Sequence, residues 1–449
     1  MDHKPVITRI PPSPTGHLHL GTSRTALYNY LFARHHKGTV LFRSEDTDHS
    51  RSDLSYEQEI IDGLHWLGID WDNQEIWRQS ARTERYTAEL ERLLAQDRAY
   101  VSNEPSKHDP TETVAVVRLR NPNTTITFTD LIRGDITFDT TELGDIVIAR
   151  AIDDPLYHLT VVVDDADMGV THILRGDDHI SNTPRQILLL EALGYTRPEY
   201  AHLPLILAPD RSKLSKRNGA VAIRDYQAMG IVPEALVNYL ALLGWNPGTE
   251  QEIFTTAELI DAFAIEKIQK GGAVFDLEKL GWLNKCHLQT YSKAEQDEYV
   301  LHALANVYDL TDETTERFRR LGETILERYH THADIITAAR AGEWDFVVST
   351  PAPTPELLQW KKDPDPQAAL PRLQHLQDII QTADFSSPET IKEAVFPYAD
   401  EIGRGEVLWP LRVALTGQEK SPDPFTVAYT LGQSVTIDRI NASCAILQQ

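Results

Sequence analysis

The chain of 449 residues is short of cysteine, of long apolar runs and of positive charge, and each shortage removes a class of function. Its two cysteines, Cys286 and Cys444, lie far apart and neither belongs to a CxxC pair. That argues against a disulfide framework and against a cysteine-rich zinc site. No apolar run approaches the roughly 20 residues that a membrane-spanning helix needs. The opening MDHKPVITRI has no apolar signal core, so the expected setting is the reducing cytoplasm, with no membrane partner. Lysine and arginine number 43 against 67 aspartates and glutamates, a net charge of −24. That argues against indiscriminate nucleic-acid binding, which needs a basic field. An RNA partner fits only if the basic residues gather on one face. Neither a Ser-His-Asp nor a Cys-His set is apparent, and there is no internal repeat. What remains is an ordinary globular composition, 41% hydrophobic and 24% charged, long enough for two to four domains.

One stretch organises the rest. In KPVITRIPPSPTGHLHLG, Val6-Ile7-Thr8 reads as a buried strand. The run Pro11, Pro12, Ser13, Pro14, Thr15 and Gly16 breaks it, and a helical pattern follows Gly21 with Ala26, Leu27, Tyr30 and Leu31 on one side. A strand, a tight polar loop and a helix N-terminus make an anion cradle, because the first-turn N–H groups lack partners and carry the positive end of the helix dipole. His19 lies where a ring N–H meets a phosphate, while His17 reads as a loop residue. Far downstream, Asp210-Arg211-Ser212-Lys213-Leu214-Ser215-Lys216-Arg217 is a basic loop in an acidic chain, rich in phosphate-binding side chains.

The pair of stretches resembles the two signatures of class I aminoacyl-tRNA synthetases: His19-Leu20-Gly21-Thr22 the HIGH-type motif, Lys213-Leu214-Ser215-Lys216-Arg217 the KMSKS-type motif. The resemblance is closest to the glutamyl branch and runs over nearly the whole chain, through RSEDTD (43–48), YHLTVVVDD (157–165) and RGDDH (175–179). It implies an α/β fold: a split, doubly wound Rossmann-type catalytic domain with an α+β acceptor-binding insertion, then an all-α C-terminal anticodon-binding half. The expected boundaries are 1–100 and 151–225 for the two catalytic halves, 101–150 for a shortened insertion, 226–290 for a helical connecting domain and 291–449 for the anticodon-binding domain.

Taken in order, the chain predicts a helix from Thr22 to about His36, a strand at Val40–Phe42 and amphipathic helices over 55–67 and 81–97. Residues 101–113 read as a polar loop without cysteine, where many relatives have a longer insert and some a structural zinc; His108 reads as a polar loop residue. Strands are expected at 114–119, 125–128, 135–138 and 146–149. Tyr157–Val163 reads as a strand ended by Asp164 and Asp165, Thr171–Leu174 as another, and Leu203–Leu207 as a third. Thr183 and Gln186 read as a capping box with Pro184 at the first helical position. Helices are expected at 233–243, 256–263 and 277–282, and helices alone beyond 291.

The charged cluster after the second strand sits where open parallel sheets bind ligands. Glu45 is placed to take an ammonium, with Arg43 or Asp46 holding the loop. The resemblance assigns Arg9, Ser13, Glu45, Tyr157 and Arg175 to L-glutamate, and Thr15, His19, Gly21, Asp178, Lys213 and Lys216 to ATP. It makes His19, Lys213, Ser215 and Lys216 the catalytic set. An arginine fork reads the two oxygens of a carboxylate, whereas the side chain of glutamine offers one. The plain alternatives are that Arg9 pairs with Glu45 or Asp46, that Tyr157 is core, and that Arg175 pairs with Asp177 or Asp178. Two departures stand out: Val161 where some members have Asn, and Asp177 in place of Glu. The chemistry implied is activation of glutamate by ATP with Mg2+, with no protein metal site and no zinc, then transfer to tRNA-Glu by a monomer. Transfer to tRNA-Gln is left open. The rivals are a glutaminyl enzyme, a glutamate-dependent tRNA-base modifier, a non-catalytic tRNA-binding paralogue and a nucleotidyltransferase without an RNA partner.

Overall fold

The computed structural model describes residues 5–48, 50–105, 113–212, 214 and 222–449. Two compact units divide the chain, Met1–Gln227 with Ile231–Leu283, and Ala228–Gly230 with Asn284–Gln449.

The first unit begins as the sequence predicts. Strand β1 (Ile7–Ile10) leads through the proline-rich loop to helix α1 (Leu20–His35), and β2 (Thr39–Ser44) returns parallel to β1 with Ile7 opposite Thr39. Gly38 makes that return possible, since a Cβ there would collide with the Val6 carbonyl that accepts the Thr39 N–H. Helix α2 (Leu54–Trp66) is capped by Asp53, whose side chain accepts the Ser55 N–H. The short β3 (Trp77–Arg78) adds a parallel edge to β2, and α3 (Thr83–Ala95) follows.

Next come β4 (Ala99–Pro105) and β5 (Thr113–Leu119), an antiparallel pair with Ala99 opposite Leu119. The polar loop expected from residue 101 is thus an edge strand as far as Pro105. It lacks apolar alternation because only Ala99 is buried. His108 and the rest of 106–112 lie outside the described residues. Strands β6 (Thr125–Asp130) and β7 (Gly134–Asp139) form a hairpin, whereas β8 (Ile146–Ala151) and β9 (Asp154–Pro155) extend the β4–β5 sheet.

The expected strand at Tyr157–Val163 is instead the start of helix α4 (Tyr157–Asp167). The β-branched Val161-Val162-Val163 run favours a strand locally, but tertiary context overrides it. Every residue from Leu159 to Asp165 is buried, and the two carboxylates at its end must serve different neighbours. A helix turns successive side chains by about 100°. Asp164 therefore meets Tyr86, Gln79 and Arg82 around α3, while Asp165 meets Arg9 on β1 and Arg43 on β2.

Strand β10 (His172–Gly176) runs into a 3-10 turn at Asp177–Asn182 and helix α5 (Thr183–Leu193). The expected strand at 203–207 is split around Pro204 into β11 (Glu199–Leu203) and β12 (Ile206–Leu207). Sheet order is β10-β11-β6-β7, so the hairpin from the middle of the chain completes the same sheet as the strands after it. At the other edge β1 lies beside β10, where the Thr171 N–H donates to the Ile7 carbonyl at 3.0 Å. Leu159, Val163, Ile187 and Leu189 are fully buried in the core between α4, α5 and these sheets.

Helices α6 (Ile223–Ala228), α7 (Pro233–Leu242) and α8 (Thr256–Ala262) follow, the last with a full capping box between Thr255 and Glu258. A two-residue strand, β13 (Ala273–Val274), pairs with β12 where helix alone was expected, and α9 (Leu277–Leu288) ends the series. In the second unit the described residues beyond 291 are helices and turns, from Lys293–Leu304 to Gln433–Leu447. They enclose a separate core that includes Phe318, Leu321, Trp344, Leu373 and Leu411.

Candidate active site

The switch point of the first unit, between β1 and β10, opens into a cavity of about 650 Å³. The elements predicted to meet a ligand converge on it. Arg9, Ser13, Thr15, His19 and Gly21 line it from the end of β1, the proline-rich loop and the start of α1. Glu45 enters from the end of β2, Tyr157 from the first turn of α4, and Arg175 and Asp178 from the end of β10. Lys213, Ser215 and Lys216 lie outside the described residues. Their neighbours Ser212 and Leu214 are bonded to the backbone of Ala208 and Ile206, and Leu214 lines the cavity.

Helix α1 opens on the cavity without self-capping. His19 is its N-cap with extended backbone (φ −90°, ψ 153°) and makes no side-chain cap, and the first turn holds no acidic residue. Leu20, Gly21 and Thr22 line the cavity, so the positive end of a four-turn helix faces it. A Cβ built on Gly21 would meet no protein atom, so packing does not demand glycine there. Its absence of side chain leaves room on the ligand side. His17 is tied to Glu59 at 2.7 Å and serves the loop.

Behind the cavity, five charged groups lock the strand ends to α4. The Arg43 guanidinium is fully buried, donating to Asp165 Oδ1 at 2.7 Å and to Glu45 Oε1 at 2.8 Å, with Asp164 Oδ2 3.8 Å away. Arg9 Nε donates to the same Asp165 oxygen at 3.2 Å. Arg9 thus pairs with Asp165, not with Glu45 or Asp46. Asp46 instead accepts from the Ser80 N–H and hydroxyl. Burial alone would raise the Asp165 carboxyl, but Arg9 and Arg43 outweigh it and hold the group below its ordinary range. For Glu45 burial wins over Arg43 and its pKa is raised. Arg9 Nη1 is buried with no hydrogen-bond partner among the described residues, although the residue borders the cavity. An anionic group of a ligand would satisfy it.

Arg175 is 5% exposed and pairs with no carboxylate among the described residues, neither Asp177 nor Asp178. Its acceptors are neutral: His202 Nε2 at 3.2 Å, Gln186 Oε1 at 2.7 Å and Thr183 Oγ1 at 2.7 Å. Burial accordingly lowers its pKa from the usual guanidinium value. The expected capping box of α5 does not form, because Thr183 and Gln186 are spent on Arg175 and the N-cap, Asn182, makes no side-chain cap. Asp177 pairs with Arg133 at 2.9 Å and does not line the cavity. Tyr157 is half-buried, its hydroxyl 3.4 Å from His179 Nδ1, and burial raises its pKa. Val161 is core.

Sequence reasoning missed the supports of this site: Asp165, Thr183, Gln186, His179 and His202. Asp165 looked like a strand end, and His202 lies in an unremarkable strand with no local signal. Among the described residues no group of three or more His, Cys, Asp or Glu side chains could hold a metal. No helix there is long and apolar enough to cross a membrane. A buried cation that pairs with no carboxylate among the described residues, a second arginine with a nitrogen unsatisfied by them, a buried carboxylate and an open helix N-terminus suit a ligand with both carboxylate and phosphate groups.

Comparison with known proteins agrees with this geometry. The model described as "tRNA synthetases class I (E and Q), catalytic domain" matches residues 5–109 and 103–282, and an anticodon binding domain matches 294–444. A glutamate–tRNA ligase of Oleidesulfovibrio alaskensis is 39% identical, covering 98% of this chain and 99% of that one. Another from Desulforamulus reducens is 35% identical, covering 97% and 98%. Among solved structures, a glutamate tRNA ligase from Elizabethkingia meningosepticum, in complex with its amino acid, superposes with a TM-score of 0.85 at 31% identity, covering 99% of this chain and 100% of that one.

Proposed function

The chain belongs to the glutamate–tRNA ligase family of class I tRNA synthetases, ATP-using enzymes, and on that premise we propose how its own residues carry the reaction. L-Glutamate lies in the cavity with its ammonium on Glu45 and Tyr157, its α-carboxylate toward Arg9 and Ser13, and its side-chain carboxylate on Arg175. ATP lies across Thr15, His19, Gly21 and Asp178, its phosphates at the N-terminus of α1. Magnesium enters with ATP, held through the phosphates.

The glutamate α-carboxylate is itself the nucleophile. Its oxygen attacks the α-phosphorus, pyrophosphate leaves, and glutamyl-adenylate forms. The protein needs no nucleophile of its own. It aligns the two reactants and stabilises charge that builds on the phosphate. His19 and the α1 amides serve that charge from one side, and Lys213, Ser215 and Lys216 from the basic loop. The terminal ribose hydroxyl of the tRNA then attacks the acyl carbon and AMP departs. The observation that carries this reading is Arg175, a buried guanidinium at the cavity wall whose acceptors among the described residues are all neutral. A glutamine side chain would leave that charge unmatched in the buried site. The helical residues 291–449 belong to anticodon reading, supported by the anticodon binding domain that matches 294–444. A monomer working in the cytoplasm completes the reading.

The test is charging of tRNA-Glu and tRNA-Gln transcripts with labelled glutamate and, separately, labelled glutamine. Glutamate on tRNA-Glu is expected, and its appearance on tRNA-Gln as well would define a non-discriminating enzyme. Glutamine transfer, or no transfer to either RNA, would overturn the assignment.

A further inference from the structure

We infer that His202 and Asp130 are positioning residues for amino-acid selection: Asp130 fixes the ring of His202 so that its Nε2 accepts from Arg175 and turns the guanidinium fork toward the cavity. This rests on the reading of Arg175 as the group that meets the glutamate side chain.

The three residues lie on three adjacent strands, Arg175 on β10, His202 on β11 and Asp130 on β6. Arg175 and His202 are register partners. All three are nearly or fully buried. A carboxylate only accepts hydrogen bonds. Asp130 Oδ2 lies 2.7 Å from His202 Nδ1, so Nδ1 carries the proton. The ring is then neutral with a lone pair on Nε2, and Arg175 Nε donates to that atom at 3.2 Å. Burial supports the neutral form by lowering the pKa of His202. Asp130 cannot turn away, since Oδ2 also accepts the His202 backbone N–H at 3.0 Å and Oδ1 accepts those of Ile132 and Arg133.

Donor counting gives the consequence. A guanidinium has five N–H groups. His202, Gln186 and Thr183 take one each, from Nε, Nη1 and Nη2. One N–H on each terminal nitrogen remains, the pair that a carboxylate accepts bidentately. Were His202 to carry its proton on Nε2, two donors would face each other and the fork would swing. The relay therefore acts on glutamate binding and not on ATP.

The experiment measures KM for glutamate and for ATP in tRNA aminoacylation by the full chain. In Asp130→Asn the amide oxygen keeps the two loop amides and the amide nitrogen meets His202, favouring the wrong tautomer. His202→Phe removes the acceptor. Both are expected to raise the glutamate KM about tenfold or more, a lost buried hydrogen bond to a charge, with the ATP KM unchanged. His202→Gln, whose amide reaches both neighbours, is expected to stay near wild type. Equal changes in both KM values, or none, would overturn the relay. Arg175→Ala is the control: if it leaves the glutamate KM unchanged, the reading beneath the relay falls first. Should Asp130→Asn and His202→Phe not fold, 15N NMR of the wild-type histidine rings decides, with the His202 signal identified by its loss in His202→Gln. An Nδ1–H pattern is expected, and an Nε2–H pattern overturns the inference.

Discussion

His158, beside Tyr157 in the first turn of α4, has its Nδ1 buried with no hydrogen-bond partner among the described residues. Burial, then the charges of Arg185 and Arg175, push its pKa down to about 4, and His179 is pushed down to about 4 for the same leading reason. The unfolded chain takes up these protons near pH 6.5, the folded chain only near pH 4. Stability from the two rings is therefore full above pH 6.5 and declines as pH falls toward 4. His158→Phe is expected to flatten the fall of the urea midpoint across that window, and an unaltered slope would refute the assignment. At Gly21 the expectation runs the other way. A methyl group meets no protein atom and favours the helix, so Gly21→Ala should leave the melting temperature level or slightly higher. It should also raise the ATP KM about tenfold if phosphates approach that turn. At this scale the wall of the cavity was legible from the sequence, because its residues sit in short loops beside their motif. The residues behind the wall were not, because Asp165 and His202 owe their placement to partners far away along the chain, Arg9 and Arg175.

Helix α4 carries the lesson at the level of elements. Its valine run has strand propensity, and its helical assignment depends on burial on every side and on two adjacent carboxylates serving different neighbours. Neither condition is visible in a window of ten residues. The elements with one buried face, α2 and α3, were read correctly to within a few residues. Arg43 on β2 ties α4 to the strand through Asp165, 2.7 Å away, and holds Glu45 beside it at 2.8 Å. Removing one partner of a buried ion pair leaves an uncompensated charge, costing about 3–5 kcal/mol. Arg43→Met should lower the unfolding free energy by about that amount in urea titration. A loss below about 1 kcal/mol, the range of exposed pairs, would show that the cluster does not secure α4.

For the whole molecule, the net charge of −24 sets the terms of RNA binding. The affinity for tRNA has to come from local phosphate contacts, against long-range repulsion. A plot of log K against log salt should then be linear and falling, by about 0.7–0.9 per phosphate neutralised. A flat plot would mean recognition without phosphate contacts. The succession of an α/β part and a helical part was legible, since periodicity 2 ceases near residue 226 and helical patterns take over. The crossing of β6 and β7 into the sheet of β10 and β11 was not, because pairing partners some 70 residues apart leave no trace in a local pattern. That crossing limits modularity. Residues 101–150 look along the chain like a cassette that could be exchanged as a block, yet the block carries Asp130, whose carboxylate holds the His202 ring behind Arg175. Swapping it between relatives would also exchange the partner of a buried histidine two strands away from the cavity, so a block that is contiguous in sequence is not independent in the fold.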